Sequence, residues 1–405
     1  MKRVVITGIG AVTPIGNDVP TMWDNMKKGV CGIDFITKFD TATSKAKVAA
    51  EVKNFDPTKY IDKRECRRMD LFCQYAIAAA TQAMEDSGIE GKVAPERLGV
   101  YVGSGVGGIN TFYEQSINLY TEKNISPFFI PMMIGNIAAG NVAIRFKAKG
   151  PCLPVVTACS TSTHAVGEAF HAIKYGMADA VIAGGAEATV TPLAVKGFVS
   201  CKALTLSDDP NRASIPFDKE RSGFVMGEGA GILILEEYEH AVARGAKIYG
   251  EVCGYGNTCD AHHITAPDPD GVGAANCVRI ALEEAGYTGE EKLYINAHGT
   301  STSLNDAGET KAFKEVLGEK AYQAHISSTK SMTGHMLGAT GAVEAIAATL
   351  ALKDGIIPPT INYKESDPEC DLDYTPNQAV QAQADMAIST TFGFGGHNAC
   401  IVIKK

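Results

Sequence analysis

Residues Pro154-Val-Val-Thr-Ala-Cys159, followed by Ser160-Thr-Ser-Thr-His-Ala-Val-Gly-Glu-Ala169, decide how the chain is read. A β-branched run ends in a small residue and a cysteine, and a helix-compatible stretch then opens with hydroxyl residues suited to capping. The pattern predicts a strand over Pro154–Thr157 and a helix over Ser160–Tyr175, with a thiol at the turn between them. Unpaired N–H groups at the positive end of a helix dipole favour the thiolate, which is the nucleophilic form. Taken alone, a cysteine at a strand end is more often a small buried hydrophobe. Three distant segments change that balance: Asn296-Ala-His298-Gly-Thr-Ser-Thr302, Ser327-Ser-Thr-Lys330-Ser-Met-Thr-Gly-His335 and Phe392-Gly-Phe-Gly-Gly-His-Asn398. Each is too polar and too rich in glycine for core packing. One nucleophile and several bases in separate loops read as an active site assembled by the fold.

Working outward, strand-like and helix-like runs alternate along most of the 405 residues. Strands are expected at Arg3–Thr7, Leu98–Val102, Ala180–Ala183, Gly231–Leu235, Ile248–Gly254, Leu293–Asn296, His325–Ser327 and Ala399–Ile403. Helices are expected at Leu71–Ser87, Ala274–Ala285, Asp306–Val316 and Gly338–Lys353. This alternation indicates an α/β fold. The helices at Leu71 and Gly338 are apolar nearly all round, which predicts burial between layers and more than three layers. A break at Arg244-Gly-Ala-Lys divides the chain into halves 1–245 and 246–405. The first half carries the cysteine and the second the two histidines.

Composition narrows the function. The chain is 45% hydrophobic and 20% charged, with a net charge of −9, which argues against general nucleic-acid binding. The start, Met1-Lys-Arg-Val-Val-Ile-Thr-Gly, has no signal-peptide apolar core, and no apolar run approaches the ~20 residues of a spanning helix. Eleven scattered cysteines read as reduced thiols of a cytoplasmic protein rather than a disulfide framework. Against this acidic background Lys63-Arg-Glu-Cys-Arg67-Arg68 stands out, with four cations in six residues. It reads as a solvated helix start or as a docking patch for an acidic partner.

Glu344 is the only charge in an apolar helix and needs a buried cation, for which Lys330 is the candidate. His335, just before that helix, should stay neutral at its N-terminus and so be able to donate a hydrogen bond to an oxyanion. Gly103-Ser-Gly-Val-Gly-Gly108 has the G-x-G-x-x-G spacing, but no acidic second strand follows it, so a nucleotide site is disfavoured. Cys253, Cys259, His262 and His263 match no common zinc spacing.

Together these segments resemble the β-ketoacyl-[acyl-carrier-protein] synthases, on the elongating Cys-His-His side of the family, from Val4-Val-Ile-Thr-Gly to Phe392-Gly-Phe-Gly-Gly. The resemblance implies a thiolase fold, with two similar halves in a five-layer αβαβα sandwich, usually as a homodimer. It also implies condensation of an acyl chain with a malonyl unit, both on acyl carrier protein, without metal or organic cofactor. Cys159 matches the nucleophile, and His298 and His335 match the decarboxylating pair. Lys330 and Glu344 match the ion pair behind them, and Phe394 matches an oxyanion-hole and gate position. Thr300 and Thr302 match the hydroxyls along the phosphopantetheine arm, and Asp260 and His263 match a neighbouring loop. Val106 and Phe129 match substrate-binding positions, Val106 lining the acyl pocket. Arg64, Arg67, Arg68 and Lys202 match a basic face for the acidic carrier. Ser162, Ser303, Leu304 and His397 depart from the commonest pattern. The presence of Cys159 argues against a silent chain-length partner, while a polyketide ketosynthase would share the chemistry.

Overall fold

The computed structural model describes residues 1–405 and contains one nine-stranded hydrogen-bonded sheet flanked by helices. Its strands are β1 (Val4–Val12), β2 (Leu98–Gly103), β3 (Ala180–Glu187), β4 (Gly229–Glu237), β5 (Gly250–Cys259), β6 (Leu293–Asn296), β7 (His325–Ser327), β8 (Met386–Gly393) and β9 (His397–Lys404). Their spatial order is β2-β3-β4-β1-β5-β9-β8-β6-β7. The joint is the short antiparallel pairing of β1 with β5, from Val4 opposite Val252 to Ile6 opposite Gly250. Outward from it, each side repeats one pattern: antiparallel, antiparallel, then parallel. The fifth place is taken by β7 on one side. On the other it is taken by a single parallel bridge from Cys152 to Val100.

That bridge replaces the strand expected at Pro154–Thr157, which joins no ladder. Pro151 and Pro154 remove two backbone donors from the segment, so no ladder can run past Cys152. Only Leu153 N–H donates back, to Val100 O at 3.0 Å.

Helix α1 (Leu71–Ser87) is capped by Asp70, which accepts from Phe72 N–H, and is stopped by Gly88 at φ +59°. It presses onto β1 so closely that a Cβ at Gly10 would lie 2.0 Å from Ala79 O. With α2 (Ile137–Phe146) it forms the outer layer of the first half. It is therefore not buried between layers as expected: Glu85 is exposed and Gln74 and Thr81 are half-buried, whereas Gln82 turns inward and accepts from Ala11 N–H of β1 at 3.1 Å. The central layer consists instead of α3 (Thr161–Lys174) and, from the far end of the chain, Thr340–Asp354. Both touch strands of each half. Every residue from Thr340 to Leu352 in the latter helix is buried. These two helices cross where a Cβ at Gly341 would meet Thr163 Oγ1 at 1.9 Å, so only glycine fits there. Beyond α4 (Pro192–Ser200), helices α5 (Val272–Ala285) and α6 (Ser303–Leu317) cover the second half's outer face, and the central helix Thr340–Asp354 is α7. The result is the five-layer αβαβα sandwich of two similar halves, with the active-site turns at the strand ends facing α3 and α7. No helix is long and apolar enough to cross a membrane.

Candidate active site

Cys159 sits in the 3-10 turn Ala158–Ser160 that leads into α3. Ala158 has φ +51°, a left-handed conformation that costs an alanine about 1–2 kcal/mol. Ser160 does not cap the helix. Its hydroxyl donates instead to Thr391 O (3.0 Å) and His397 O (2.7 Å), tying the nucleophile turn to β8 and β9. Ser162 is also put to use, because its Oγ accepts from Ala342 N–H of α7 at 2.9 Å.

The thiol departs from the dipole expectation. Burial pushes it up to about 11, and this outweighs the backbone N–H of Phe394 and the charge of Lys330, which pull the other way. Cys159 is only 7% exposed, and desolvating a thiolate there exceeds what one helix end returns. The resting nucleophile is a neutral thiol.

His298 follows β6, and its backbone N–H donates to Glu309 Oε1 at 2.7 Å. Gly299 N–H and Thr390 Oγ1 donate to the same carboxylate, each at 2.8 Å. Lys330 Nζ lies 2.5 Å from His298 O and 2.6 Å from Glu344 Oε1, and both partners of the ion pair are 1% exposed. The His298 and His335 rings meet edge to face with centroids 5.3 Å apart. Burial first, and then the Lys330 charge, hold both rings well below the usual histidine range. They are neutral imidazoles. His335 Nδ1 faces Thr340 Oγ1 at 3.2 Å, while His335 Nε2 and His298 Nδ1 make no hydrogen bond within the chain.

Cys159, His298, His335 and Phe394 line one cavity of about 70 Å³ together with Thr300, Thr302 and Asp260. Thr300 and Thr302 share a hydroxyl contact at 2.9 Å. Asp260 Oδ1 accepts from Asn398 Nδ2 (2.6 Å), Asp260 N–H donates to Gly396 O (2.9 Å), and Gly395 N–H donates to Ile264 O (2.8 Å). The loop after β5 and the Gly393–Gly396 turn therefore hold each other. His263 is exposed and off the cavity; its Nδ1 accepts from Thr265 and Ala266 N–H, each at 3.1 Å, and shapes the loop that presents Thr265 and Pro267.

Several expected residues lie elsewhere. Val106 and Phe129 do not line this cavity; Val106 is 43% exposed and Phe129 opens a short helix, Phe129–Met133. Arg64, Arg67 and Arg68 share one exposed turn, with Arg68 stacked 4.8 Å over the Phe128 ring. Lys202 lies in a separate groove of about 950 Å³, beside Lys45 and Lys196. No three His, Cys, Asp or Glu side chains stand together as a metal site.

Phe224, Phe392 and Asn305 line the cavity without having been singled out as site residues. Glu309 and Glu187 were missed as well. Glu187 is fully buried at the end of β3, where it accepts from Ser104 Oγ (2.7 Å) and from the N–H groups of Gly105 (2.8 Å) and Gly338 (2.9 Å). The available sequence signal was an acid closing an apolar strand, Ala180-Val-Ile-Ala-Gly-Gly-Ala-Glu187.

Comparison with known proteins agrees with this geometry. The family description "Beta-ketoacyl synthase, N-terminal domain" matches residues 1–241, and "Beta-ketoacyl synthase, C-terminal domain" matches residues 249–364. The chain is 50% identical to a 3-oxoacyl-[acyl-carrier-protein] synthase 2 of Synechocystis sp., over all of this chain and 98% of that protein. It is 51% identical to the synthase 2 of Staphylococcus aureus strain COL, with the same coverage. Among solved structures, the ishigamide ketosynthase/chain length factor superposes with a TM-score of 0.92 at 37% identity, covering 100% of this chain and 99% of that one. A type II PKS acyl-carrier protein in complex with its ketosynthase gives a TM-score of 0.91 at 35% identity, with the same coverage. The five-layer sandwich is the thiolase fold of these ketosynthases, and the chain belongs to the beta-ketoacyl synthase family.

Proposed function

We propose that the chain elongates fatty acids by condensing an acyl group with malonyl-[acyl-carrier-protein]. The observation that carries this reading is a buried thiol facing one cavity with two neutral imidazoles. Cys159 sulfur attacks the thioester carbonyl of the acyl carrier protein, the carbonyl oxygen becomes anionic against the N–H groups of Cys159 and Phe394, and the C–S bond to the carrier breaks. The thiol proton leaves on the carrier thiol. Malonyl carrier protein then enters past Thr300 and Thr302, and its thioester oxygen accepts hydrogen bonds from His298 and His335. CO2 departs, the enolate carbon attacks the acyl carbonyl on Cys159, and a C–C bond replaces the C–S bond. The released Cys159 thiolate takes a proton from solvent, and the product is a 3-oxoacyl carrier protein two carbons longer.

Neutral rings suit this task, since each can donate one N–H to a developing enolate without holding a charge in the resting site. Lys330 and Glu344 act behind them, Lys330 fixing the His298 carbonyl. Identity near 50% to synthase 2 proteins, against 35% to the ketosynthase of a type II PKS, favours fatty acids over polyketides. The exposed Arg64, Arg67 and Arg68, together with Lys202, suit an acidic carrier protein. Residues 1–245 supply the nucleophile and 246–405 the histidines, which matches the repeated strand pattern. The helix Ile109–Tyr120 and the turn Phe129–Met133 pack together and leave Leu119, Tyr120 and Ile130 exposed, a face suited to a second copy that would also cover Phe129. Eleven free thiols suit a cytoplasmic location.

The test is product identification. Acyl and malonyl carrier proteins incubated with the enzyme should yield 3-oxoacyl carrier protein, detected by the mass of its prosthetic arm. Acyl chains that return unextended, with malonyl carrier intact, would overturn the reading.

A further inference from the structure

Two backbone segments beside the nucleophile meet on one buried carboxylate that takes no part in the chemistry above. Glu187 is completely buried at the end of β3. Its Oε1 accepts from Ser104 Oγ (2.7 Å) and Val106 N–H (3.2 Å), both in the glycine loop. Its Oε2 is shared between Gly105 N–H of that loop (2.8 Å) and Gly338 N–H (2.9 Å), three residues beyond His335. The two loops touch directly, since a Cβ on Gly338 would lie 2.3 Å from Gly105 N. Gly105 also backs onto the nucleophile turn, where a Cβ would sit 3.0 Å from Ala158 O.

The residues flanking this carboxylate are strained. Ala158, before Cys159, has φ +51°, and Leu337, before Gly338, has φ +46°. Left-handed backbone at non-glycine residues persists only where its surroundings hold it. Leu337 and Cys159 pack in one apolar cluster. A charged acceptor with four donors from two loops is a stiff link, and moving either loop must change the other's bonds to the shared oxygen.

Resting on the condensing function above, we propose that Glu187 is a positioning residue that couples acylation of Cys159 to the placement of His335. An acyl group on Cys159 presses the Ala158–Cys159 turn against Gly105 and shifts the Gly105 and Val106 N–H groups on Glu187. The shared Oε2 passes that shift to Gly338 and hence to the turn carrying His335. Malonyl decarboxylation is thereby favoured once Cys159 is acylated, and futile loss of CO2 from the free enzyme is suppressed.

The test compares CO2 release from malonyl carrier protein with acyl carrier protein in excess and in its absence, for the wild type and Glu187→Gln. In the variant the amide oxygen can keep the Gly105 and Gly338 bonds, while its NH2 faces Ser104 Oγ and opposes Val106 N–H. The acyl stimulation, taken as the ratio of the two rates, should fall about tenfold or more, the worth of one charged hydrogen bond. A merely structural strut would lower both rates together and leave the ratio unchanged, and that result overturns the proposal. Should Glu187→Gln not fold, Ser104→Ala removes one donor only and should still reduce the ratio; an unchanged ratio there is equally fatal. A wild type that condenses without acyl stimulation overturns the coupling alone. A wild type that makes no 3-oxoacyl product overturns the functional reading itself.

Discussion

Replacing Glu309 by glutamine should make the protein more stable at neutral pH while making it a poorer enzyme. Glu309 is fully buried, and burial raises its carboxyl from 4.5 to about 7 despite three donors from His298, Gly299 and Thr390. A carboxyl whose folded pKa lies above its unfolded value binds its proton more tightly when folded. Its contribution to stability is therefore fully present below pH 4.5 and is lost as pH rises through 7. At about 1.36 kcal/mol per pH unit, the interval from 4.5 to about 7 amounts to roughly 3 kcal/mol. Glutamine is neutral throughout and removes that dependence. Its carbonyl can still accept from His298 N–H and Thr390 Oγ1, while its NH2 faces Gly299 N–H, a loss of about 1–3 kcal/mol that does not vary with pH. Urea unfolding at one protein concentration, run from pH 4.5 to 8, should show the difference between variant and wild type moving in the variant's favour by roughly 3 kcal/mol. The same variant should lose about tenfold in kcat/KM, because the turn carrying His298 is held by one bond fewer. A difference that stays flat with pH, or slopes the other way, would show that burial does not govern this carboxyl and would refute the reasoning.

Other outcomes follow from the same geometry. With the thiol near 11 and both imidazoles neutral, single-turnover acyl transfer to Cys159 should rise about tenfold per pH unit between 7 and 9 in stopped-flow assays; a pH-independent rate would mean the thiolate already exists at rest. Gly341→Ala drives a methyl into Thr163 between the two central helices and should destabilise the protein by about 1–3 kcal/mol in denaturant titrations; an unchanged midpoint would contradict the close crossing. Reversing the charges of Arg67 and Arg68 should raise KM for both carrier-bound substrates without changing kcat, an effect that weakens in high salt. An unchanged KM would remove this turn from the docking surface.

Local signals read well where the cause was local. Leu71–Ser87 and Leu293–Asn296 have the boundaries their patterns predict, the first because Asp70 and Gly88 bracket it. The strand Met386–Gly393 went unread because it lies between β9 and β6 and is covered on both faces, so Ser389, Thr390 and Thr391 carry no alternation. Pro154–Thr157 misled in the opposite sense, since its β-branched residues suit a strand but its prolines deny one a ladder. The nucleophile's position was legible and its protonation was not, because the helix end is local while the burial comes from β8, α4 and α7. Glu187 showed only as an acid closing an apolar strand, because Ser104, Gly105 and Gly338, which satisfy it, lie far along the chain, and Glu309 was silent because the fold must first bring the His298 turn and Thr390 of β8 onto it.

The most direct test of the central claim is the intact mass of the protein after incubation with a medium-chain acyl carrier protein, repeated after malonyl carrier protein is added. A single acyl adduct is expected, absent from Cys159→Ala, that persists alone and is discharged only when the malonyl donor is present. An adduct that forms equally on Cys159→Ala, or that is never discharged by malonyl carrier protein, would contradict it.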